Sequence, residues 1–392
     1  MKIKIFFYVK LFLILSSVLS TTYIYTYPLI RGCFSLKHIF STVPLRLLTF
    51  ADPQIEGDAK ILNKGLKGQI DLWGNDVYLS HIQWAMLTLS FPRPTHQVIL
   101  GDLMSSQWIS DEEYKKRVYR LNWIFMRRLP YLSVFNVSGN HDIGYAGEMT
   151  RERVDRWERA FGRVNGAYYL NTVFRGKPRR LRIVILNTLS IDEPVHDKSI
   201  RQEALDFLDE MGKEQIPTIL LTHLPLYKHK GLCADPPYVK YYENDKTIRE
   251  QNHLSENSSN LILTRLFNRE YNGVIITGHD HQGCDCIRTL NNEGIWMVKR
   301  FDNEKEGIRE ITVRSMMAQY GGYSGIFSAK INEINDKWEF SYYLCPFVVN
   351  QIWWGIYIYD IIVVFIFLFS LLKFKRIRIF ARGISRNKYT DK

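Results

Sequence analysis

Five short apolar runs in this chain are each followed at once by polar side chains of the kinds that bind metal ions. The runs have the length and composition of buried strands. Between them lie helix signals: Ser110, three residues before Glu113, opens a helix that is predicted to extend to about Arg128. Strands that alternate with helices predict an α/β fold with helices on the faces of a sheet. The strands are predicted at 45–50, 97–100, 132–137, 181–186, 218–222 and 273–277.

Other helices are expected to begin at Thr150, Ser199 and Ser259, each a residue type that caps helix N-termini. After about Gly294 four further apolar runs read as strands that extend or cover the sheet. No internal repeat is found.

The polar residues after the strands form an ordered series. They are Asp52 and Gln54, Asp102, the run Asn140, His141 and Asp142, then His223, and finally His279 and His281. Ligands bind at the carboxyl ends of strands in such sheets, so we expect these residues to meet at one end of one sheet. Gly101, Gly139 and Gly278 are expected to allow the sharp turns.

This set of side chains favours metal binding. Taken alone, His223 fits a buried structural histidine, but five such loops in order are hard to explain structurally. Carboxylate, carboxamide and imidazole ligands together suit divalent ions such as Mn²⁺, Fe²⁺ or Zn²⁺. Seven of these nine residues as ligands, without His141 and Asp142, are too many for one tetrahedral site and suit two ions that share a bridging carboxylate.

The net charge does not indicate nucleic-acid binding. Of the total of +12, the first ten residues carry +3 and the last twenty carry +7, which leaves +2 for the rest. The body of the chain is therefore near neutral, and the basic character belongs to its two ends.

Both basic ends flank apolar segments. Residues 11–29 contain no charge, and residues 352–372 contain one, Asp360. Each is long enough to span a membrane as a helix. The first also resembles a cleaved signal peptide, and the second a buried core helix. A charged Asp360 carboxylate is energetically costly inside a bilayer. We expect it to be protonated, to pair with Lys10, or to contact a neighbouring helix.

The charges predict the topology. Lys and Arg flank the cytosolic ends of membrane helices, which places residues 1–10 and the basic tail 373–392 in the cytosol and residues 30–351 in a lumen. The sequon at Asn257 looks accessible, whereas that at Asn136 looks buried. An oxidising lumen permits disulfides among five cysteines, with one left over and the pairing open. Cys284 and Cys286 also suggest metal thiolates, but no second such pair completes a site.

The motifs D-P-Q, G-D, G-N-H-D, T-H and G-H-D-H, in this order, resemble the calcineurin-like metallophosphoesterases. This resemblance implies a four-layer α/β/β/α sandwich, here a domain over 45–344, with a dinuclear metal site at the strand ends. It implies one metal held by Asp52, Gln54, Asp102 and His281, and another held by Asp102, Asn140, His223 and His279. The resemblance also implies that His141 is the acid and that Asp142 orients His141. The metal that the resemblance suggests is manganese.

Gln54 departs from the superfamily pattern, which has histidine there. The sequence resembles the endoplasmic-reticulum branch that remodels GPI glycans. The features that carry this resemblance are the departure at Gln54, the A-D-P-Q-I run, the G-H-D-H-x-G-C-D run over 278–285 and the Y-G-G-Y run over 320–323. Its members remove an ethanolamine-phosphate side branch from a mannose. The resemblance therefore implies a multi-pass endoplasmic-reticulum enzyme acting on GPI-anchored proteins or GPI glycolipid, with the second mannose as the expected target and cargo-export receptors as further partners.

Two other functions fit the same sequence. One is a metallophosphoesterase that acts on another lipid-linked or protein phosphoester. The other is a non-catalytic lumenal receptor for GPI-anchored cargo.

Overall fold

The structure is a computed structural model that describes residues 2–33, 43–90, 92–127, 132–267, 273–302 and 306–387. The chain forms two compact units, Arg31–Pro346 and the terminal segments Met1–Ile30 with Phe347–Lys392. Arg128, where the helix after Ser110 was expected to end, lies outside the described residues, and so do residues 388–392 of the predicted tail.

Mixed β-sheets form the centre of the larger unit. One sheet has the strand order β14-β13-β1-β2-β3, another has β11-β10-β12-β9-β6-β5-β4, and β7 pairs with β8. The strands are β1 (Leu45–Phe50), β2 (His96–Leu100), β3 (Ser133–Val137), β4 (Gly166–Phe174), β5 (Lys177–Ile185), β6 (Thr218–Leu221), β7 (Val239–Tyr241), β8 (Ile248–Gln251), β9 (Gly273–Thr277), β10 (Cys284–Leu290), β11 (Trp296–Arg300), β12 (Ile308–Thr312), β13 (Tyr323–Ile331) and β14 (Trp338–Pro346). The four late runs are thus confirmed as strands, which extend both large sheets.

The helices confirm some predicted starts and correct others. They are α1 (Lys2–Ile30), α2 (Asp58–Leu89), α3 (Asp111–Phe125), α4 (Asn140–Ile143), α5 (Arg151–Phe161), α6 (Lys198–Gly212), α7 (Glu256–Leu266) and α8 (Asn350–Asn387), with 3₁₀ turns at Thr188–Ser190 and Ala318–Tyr320. Ser110 and Thr150 cap α3 and α5 as expected. The predictions for Ser199 and Ser259 were wrong, because Asp197 caps α6 and Ser255 caps α7.

The two large sheets pack face to face. Alternate residues of their strands, among them Leu47, Val98, Ile219 and Ile276, form one buried core. The residues between them point to the outer faces, where helices cover the sheets. Phe50 of β1 meets Phe125 of α3 with ring centroids 5.4 Å apart. On the other sheet, Arg182 of β5 donates to the carbonyl of Met211 in α6 at 2.6 Å. The layers are therefore α/β/β/α.

This sandwich corrects one expectation about the polar loops. They do not belong to one sheet: β1, β2 and β3 lie in the five-stranded sheet, whereas β6 and β9 lie in the seven-stranded one. Their carboxyl ends still converge, because two sheets packed about 10 Å apart bring neighbouring edges within side-chain reach.

The terminal unit contains two helices long and apolar enough to cross a membrane, over Ile5–Ile30 and Asn350–Lys373. Asp360 accepts hydrogen bonds from Ser17 Oγ at 2.6 Å and Thr21 Oγ1 at 2.5 Å. Of the ways to satisfy Asp360, the structure thus uses the neighbouring helix. The topology across a membrane stays a prediction.

Four cysteines are paired in the larger unit, Cys33 with Cys345 and Cys233 with Cys284. Cys286 is free and buried. Because the Cys284 sulfur is in a disulfide, Cys284 and Cys286 do not form a thiolate pair for a metal.

Candidate metal centre

Asp102 is the centre of the polar cluster at the strand ends. It follows β2 and is 1% exposed. Its Oδ1 lies 3.3 Å from Nε2 of His223 and accepts the His141 backbone N–H at 2.9 Å. Its Oδ2 accepts from Gln54 Nε2 at 3.2 Å and lies 3.8 Å from His141 Nε2. Asp102 thus contacts residues from both sheets, as a bridging carboxylate must.

The protonation of two histidines follows from their carbonyl partners. His223 Nδ1 lies 2.7 Å from the carbonyl oxygen of Leu100, and His279 Nε2 lies 3.0 Å from that of Gln251. A carbonyl has no proton to donate, so these ring nitrogens carry the hydrogens. The other nitrogens, His223 Nε2 and His279 Nδ1, therefore present lone pairs to the cluster.

These lone pairs face other acceptors. His223 Nε2 lies 3.2 Å from His279 Nδ1 and 3.3 Å from Asp102 Oδ1. Asn140 Oδ1 lies 3.0 Å from the first nitrogen and 3.1 Å from the second. Two imidazole lone pairs and a carboxylate oxygen thus meet without a proton to share, an arrangement that a cation stabilises.

Asp52 adds a second indication of a cation. It is fully buried; its Oδ1 accepts the His279 N–H at 3.2 Å, while its Oδ2 has no hydrogen-bond partner among the residues that the structure describes. Burial and the nearby charge of Asp102 raise the pKa of Asp52 well above its usual range. Asp52, Asp102 and His223 each offer a ligand atom within 4.8 Å of the others. The donor set fits a divalent ion.

The imidazoles are neutral, which is the form that binds metals. Burial lowers the pKa of His279 to about 3 and that of His281 to about 4, and it also lowers that of His223. The ring of His281 packs against Tyr320, with centroids 4.4 Å apart. Electrostatic interactions of His281 with Asp102 place it beside the same cluster.

His141 and Asp142 differ sharply in their surroundings. The side chain of His141 is 38% exposed, the accessibility that a group meeting substrate needs. Asp142 is buried and accepts three backbone N–H groups, those of Leu103 and Gly139 through Oδ2 and that of Met104 through Oδ1. These contacts fix the loops, and the role of Asp142 in orienting the His141 ring stays a prediction.

The backbone around the site is strained. Asp52, Gln54, Asp102 and His279 all have positive φ, at 51°, 42°, 50° and 72°. Non-glycine residues adopt this region rarely, and such residues concentrate at functional sites.

The three expected glycines are required, for different reasons; at Gly278 a Cβ would lie 2.4 Å from the carbonyl oxygen of Leu100. Gly101 has φ of 86°, and a Cβ there would lie 2.2 Å from His223 Nδ1. Gly139 has ordinary φ of −108°, but its Cβ would lie 2.2 Å from Asp102 Oδ1. Gly101 thus provides a turn, and Gly139 provides space.

Sequence reasoning missed several contributors. The carbonyls of Leu100 and Gln251 are backbone groups with no residue signature. Tyr145 lies edge-on to His279 with centroids 6.2 Å apart. Tyr320 belongs to the Y-G-G-Y motif, which was the only signal for it.

The comparisons with known proteins agree with this geometry. The calcineurin-like phosphoesterase family matches residues 47–283. Protein TED1 of Saccharomyces cerevisiae is 30% identical over 385 residues, covering 79% of each chain. An uncharacterized protein of Schizosaccharomyces pombe is 32% identical, covering 80% of this chain and 75% of its own. Metallophosphoesterase 1 of Xenopus laevis is 25% identical, covering 50% of this chain and 53% of its own.

The family and the donor cluster together support a phosphoester hydrolase that uses divalent metal. The sandwich, the motif order and the matched residues lead to one conclusion: the chain belongs to the calcineurin-like phosphoesterase family.

Proposed function

We propose that this protein is a phosphodiesterase with two metal ions, and that it removes an ethanolamine-phosphate side branch from a mannose of GPI anchors, the second mannose being the expected target. One observation supports the assignment as a phosphodiesterase: acceptor atoms of His223, His279 and Asp102 lie around a common point.

Two donor sets share Asp102. One ion would be held by Asp52, Gln54, Asp102 and His281, and the other by Asp102, Asn140, His223 and His279. When bound, such ions, which we propose to be Mn²⁺, polarise the phosphoryl group and lower the pKa of water.

The remaining chemistry falls to the chain itself. Hydrolysis forms a bond from the water oxygen to phosphorus and breaks the bond from phosphorus to the sugar oxygen. The sugar oxygen leaves as an alkoxide that needs a proton, and the exposed His141 imidazole is positioned to donate it. The products are ethanolamine phosphate and a free mannose hydroxyl.

The substrate assignment rests on the sequence resemblance and on the cellular setting that it implies. The A-D-P-Q-I, G-H-D-H-x-G-C-D and Y-G-G-Y motifs support the GPI-remodelling branch. Two disulfides fit the oxidising lumen of the endoplasmic reticulum. Two apolar terminal helices fit a substrate anchored in the same bilayer, because tethering both raises their effective concentration.

Mass spectrometry of GPI glycans from cells lacking the protein tests the proposal. We expect glycans that retain an extra ethanolamine phosphate on the second mannose, with removal restored by the wild type and not by Asp102→Asn. Unchanged glycans would exclude the GPI substrate and favour another phosphoester. If Asp102→Asn restored the export of GPI-anchored proteins in full, the function would be that of a cargo receptor.

A further inference from the structure

A buried carboxylate outside the metal cluster is connected to it by hydrogen bonds. Asp192 follows the 3₁₀ turn after β5 and is 5% exposed. It accepts three hydrogen bonds from neutral donors: Gln251 Nε2 at 2.8 Å, Ser255 N at 2.7 Å and Ser255 Oγ at 2.6 Å. These three hydrogen bonds attach the Asp192 carboxylate to Gln251 and Ser255, the two ends of the segment 251–255.

The same segment supplies the partner of a metal-ligand candidate. The carbonyl of Gln251 lies 3.0 Å from His279 Nε2 and thereby directs His279 Nδ1 into the cluster. Gln251 is fully buried, and its side-chain Nε2 also donates to the carbonyl of His253 at 3.1 Å. The position of its backbone carbonyl is therefore fixed by the pairing of β8 with β7, in which Gln251 lies opposite Val239, and by what its side chain binds.

Other contacts of the segment lie between the two residues that bind Asp192. Asn252 donates through its backbone to Tyr238 and through its side chain to Pro236, and Leu254 donates to Pro225. These bonds fix the middle of the segment. Among the described residues, Asp192 is the acceptor to which both Gln251 and Ser255 donate.

We propose that Asp192 is a positioning residue of the metal centre: through Gln251 it orients His279 and so sets the affinity for one of the two ions. This inference rests on the proposed two-ion site. Partners one step removed from a metal ligand typically change metal affinity by about 10–100-fold when they are lost. The effect should be selective, because His279 is assigned to one ion only, whereas the other ion is assigned to Asp52, Gln54, Asp102 and His281.

The test measures the stepwise binding of Mn²⁺ by titration calorimetry. The sample is the purified, metal-stripped full chain in detergent. The variants are Asp192→Ala and Gln251→Leu, the second of which keeps the backbone carbonyl and the Ser255 bonds. Both should weaken one Mn²⁺ by up to about 10-fold, the low end of that range because the Gln251 carbonyl that contacts His279 is retained, and leave the other unchanged. If Asp192→Ala does not fold, Gln251→Leu still decides the question.

Asp197→Ala is the matched control. Asp197 also accepts from a serine, Ser199, and caps α6, but no hydrogen bond described for it leads to the metal cluster. It should lower the unfolding temperature of the metal-free protein and leave both Mn²⁺ affinities unchanged. Unchanged binding in both test variants would overturn the inference, and so would equal weakening of both ions. A wild type that binds no Mn²⁺ would instead refute the proposed function, and this inference with it.

Discussion

His141 differs from the other residues of the cluster because it is accessible and is assigned no metal. His141→Ala should therefore keep the metal content while losing rate, since a general acid typically contributes about 10²–10⁴-fold. The loss should shrink on a nitrophenyl phosphodiester, because that leaving group departs without a proton. Metal analysis and turnover on both substrates check this. Loss of metal, or an equal loss of rate on the activated ester, would mean that His141 is not the acid.

Gln54 is the position where the sequence departs from the family pattern. The structure places its Nε2 3.2 Å from Asp102 Oδ2, at the edge of the cluster. Gln54→His should tighten binding of the first ion, because imidazole is a better ligand than a neutral carboxamide. Titration of activity with Mn²⁺ measures this. Equal or weaker affinity would show that Gln54 is not a ligand or that the ring does not fit.

The individual residues of the site were largely predictable, and their contacts were not. Residue type and order after each strand pointed to Asp52, Asp102 and His279. Nothing in the sequence distinguishes His141 from Asp142 by burial, and nothing in it shows that Asp142 accepts three backbone N–H groups.

A buried ion cluster connects β10, β12 and the segment after His223. Glu310 in β12 is fully buried between Lys228 Nζ and Arg288 Nε, both 2.6 Å away. Glu310→Ala should cost about 3–5 kcal/mol of unfolding free energy, because it leaves two buried cations without a counter-charge. Glu339→Ala is the control, since its pair with Lys330 is 3.5 Å long and exposed, so about 1 kcal/mol or less is expected. Denaturant unfolding of both variants compares them, and equal costs would contradict this view.

The same cluster has a defined pH dependence. Burial raises the pKa of Glu310, but Arg288 and Lys228 outweigh it and hold the pKa below its usual range. A lowered carboxyl pKa stabilises the fold above its unfolded value of about 4.3, and this stabilisation is lost as the pH falls through the folded value.

Strands were predictable where they are buried on both faces. β1 and β9 match their predicted bounds, because each is an uninterrupted buried run. β4 was missed because none of its residues is fully buried, and β5 begins at Lys177 rather than at 181 because its first four residues, K-P-R-R, are mostly charged and mostly exposed. The starts of α6 and α7 were misplaced because several serines and acids near each helix fit the capping pattern equally well.

The arrangement of the complete chain depended on information that periodicity does not carry. Alternation of strands and helices predicts a sheet, yet it does not say that the strands divide between two sheets. The resemblance to a known family supplied the four layers, and the packed faces of the two sheets confirm them. The cysteine pairing likewise needed the folded chain.

The predicted topology places the larger unit in a lumen with both termini cytosolic. Asn257 lies exposed in the first turn of α7, whereas Asn136 lies in β3 with its side-chain oxygen buried. Asn257 should therefore carry a glycan and Asn136 should not. Gel mobility after endoglycosidase treatment, with Asn257→Gln beside the wild type, checks this. A mobility that ignores both changes would contradict the lumenal orientation.

The central claim is that the polar strand ends form one metal-dependent hydrolytic centre around Asp102. The most direct measurement is metal content and phosphodiester turnover of the purified full chain, for the wild type and for Asp102→Asn. We expect about two Mn²⁺ per wild-type chain with turnover, as in two-metal hydrolytic sites. In Asp102→Asn both should be lost, because the carboxylate shared by the ions has lost its charge. An Asp102→Asn protein that keeps its metal and its turnover, or a wild type that hydrolyses the ester after complete removal of metal, would contradict the account.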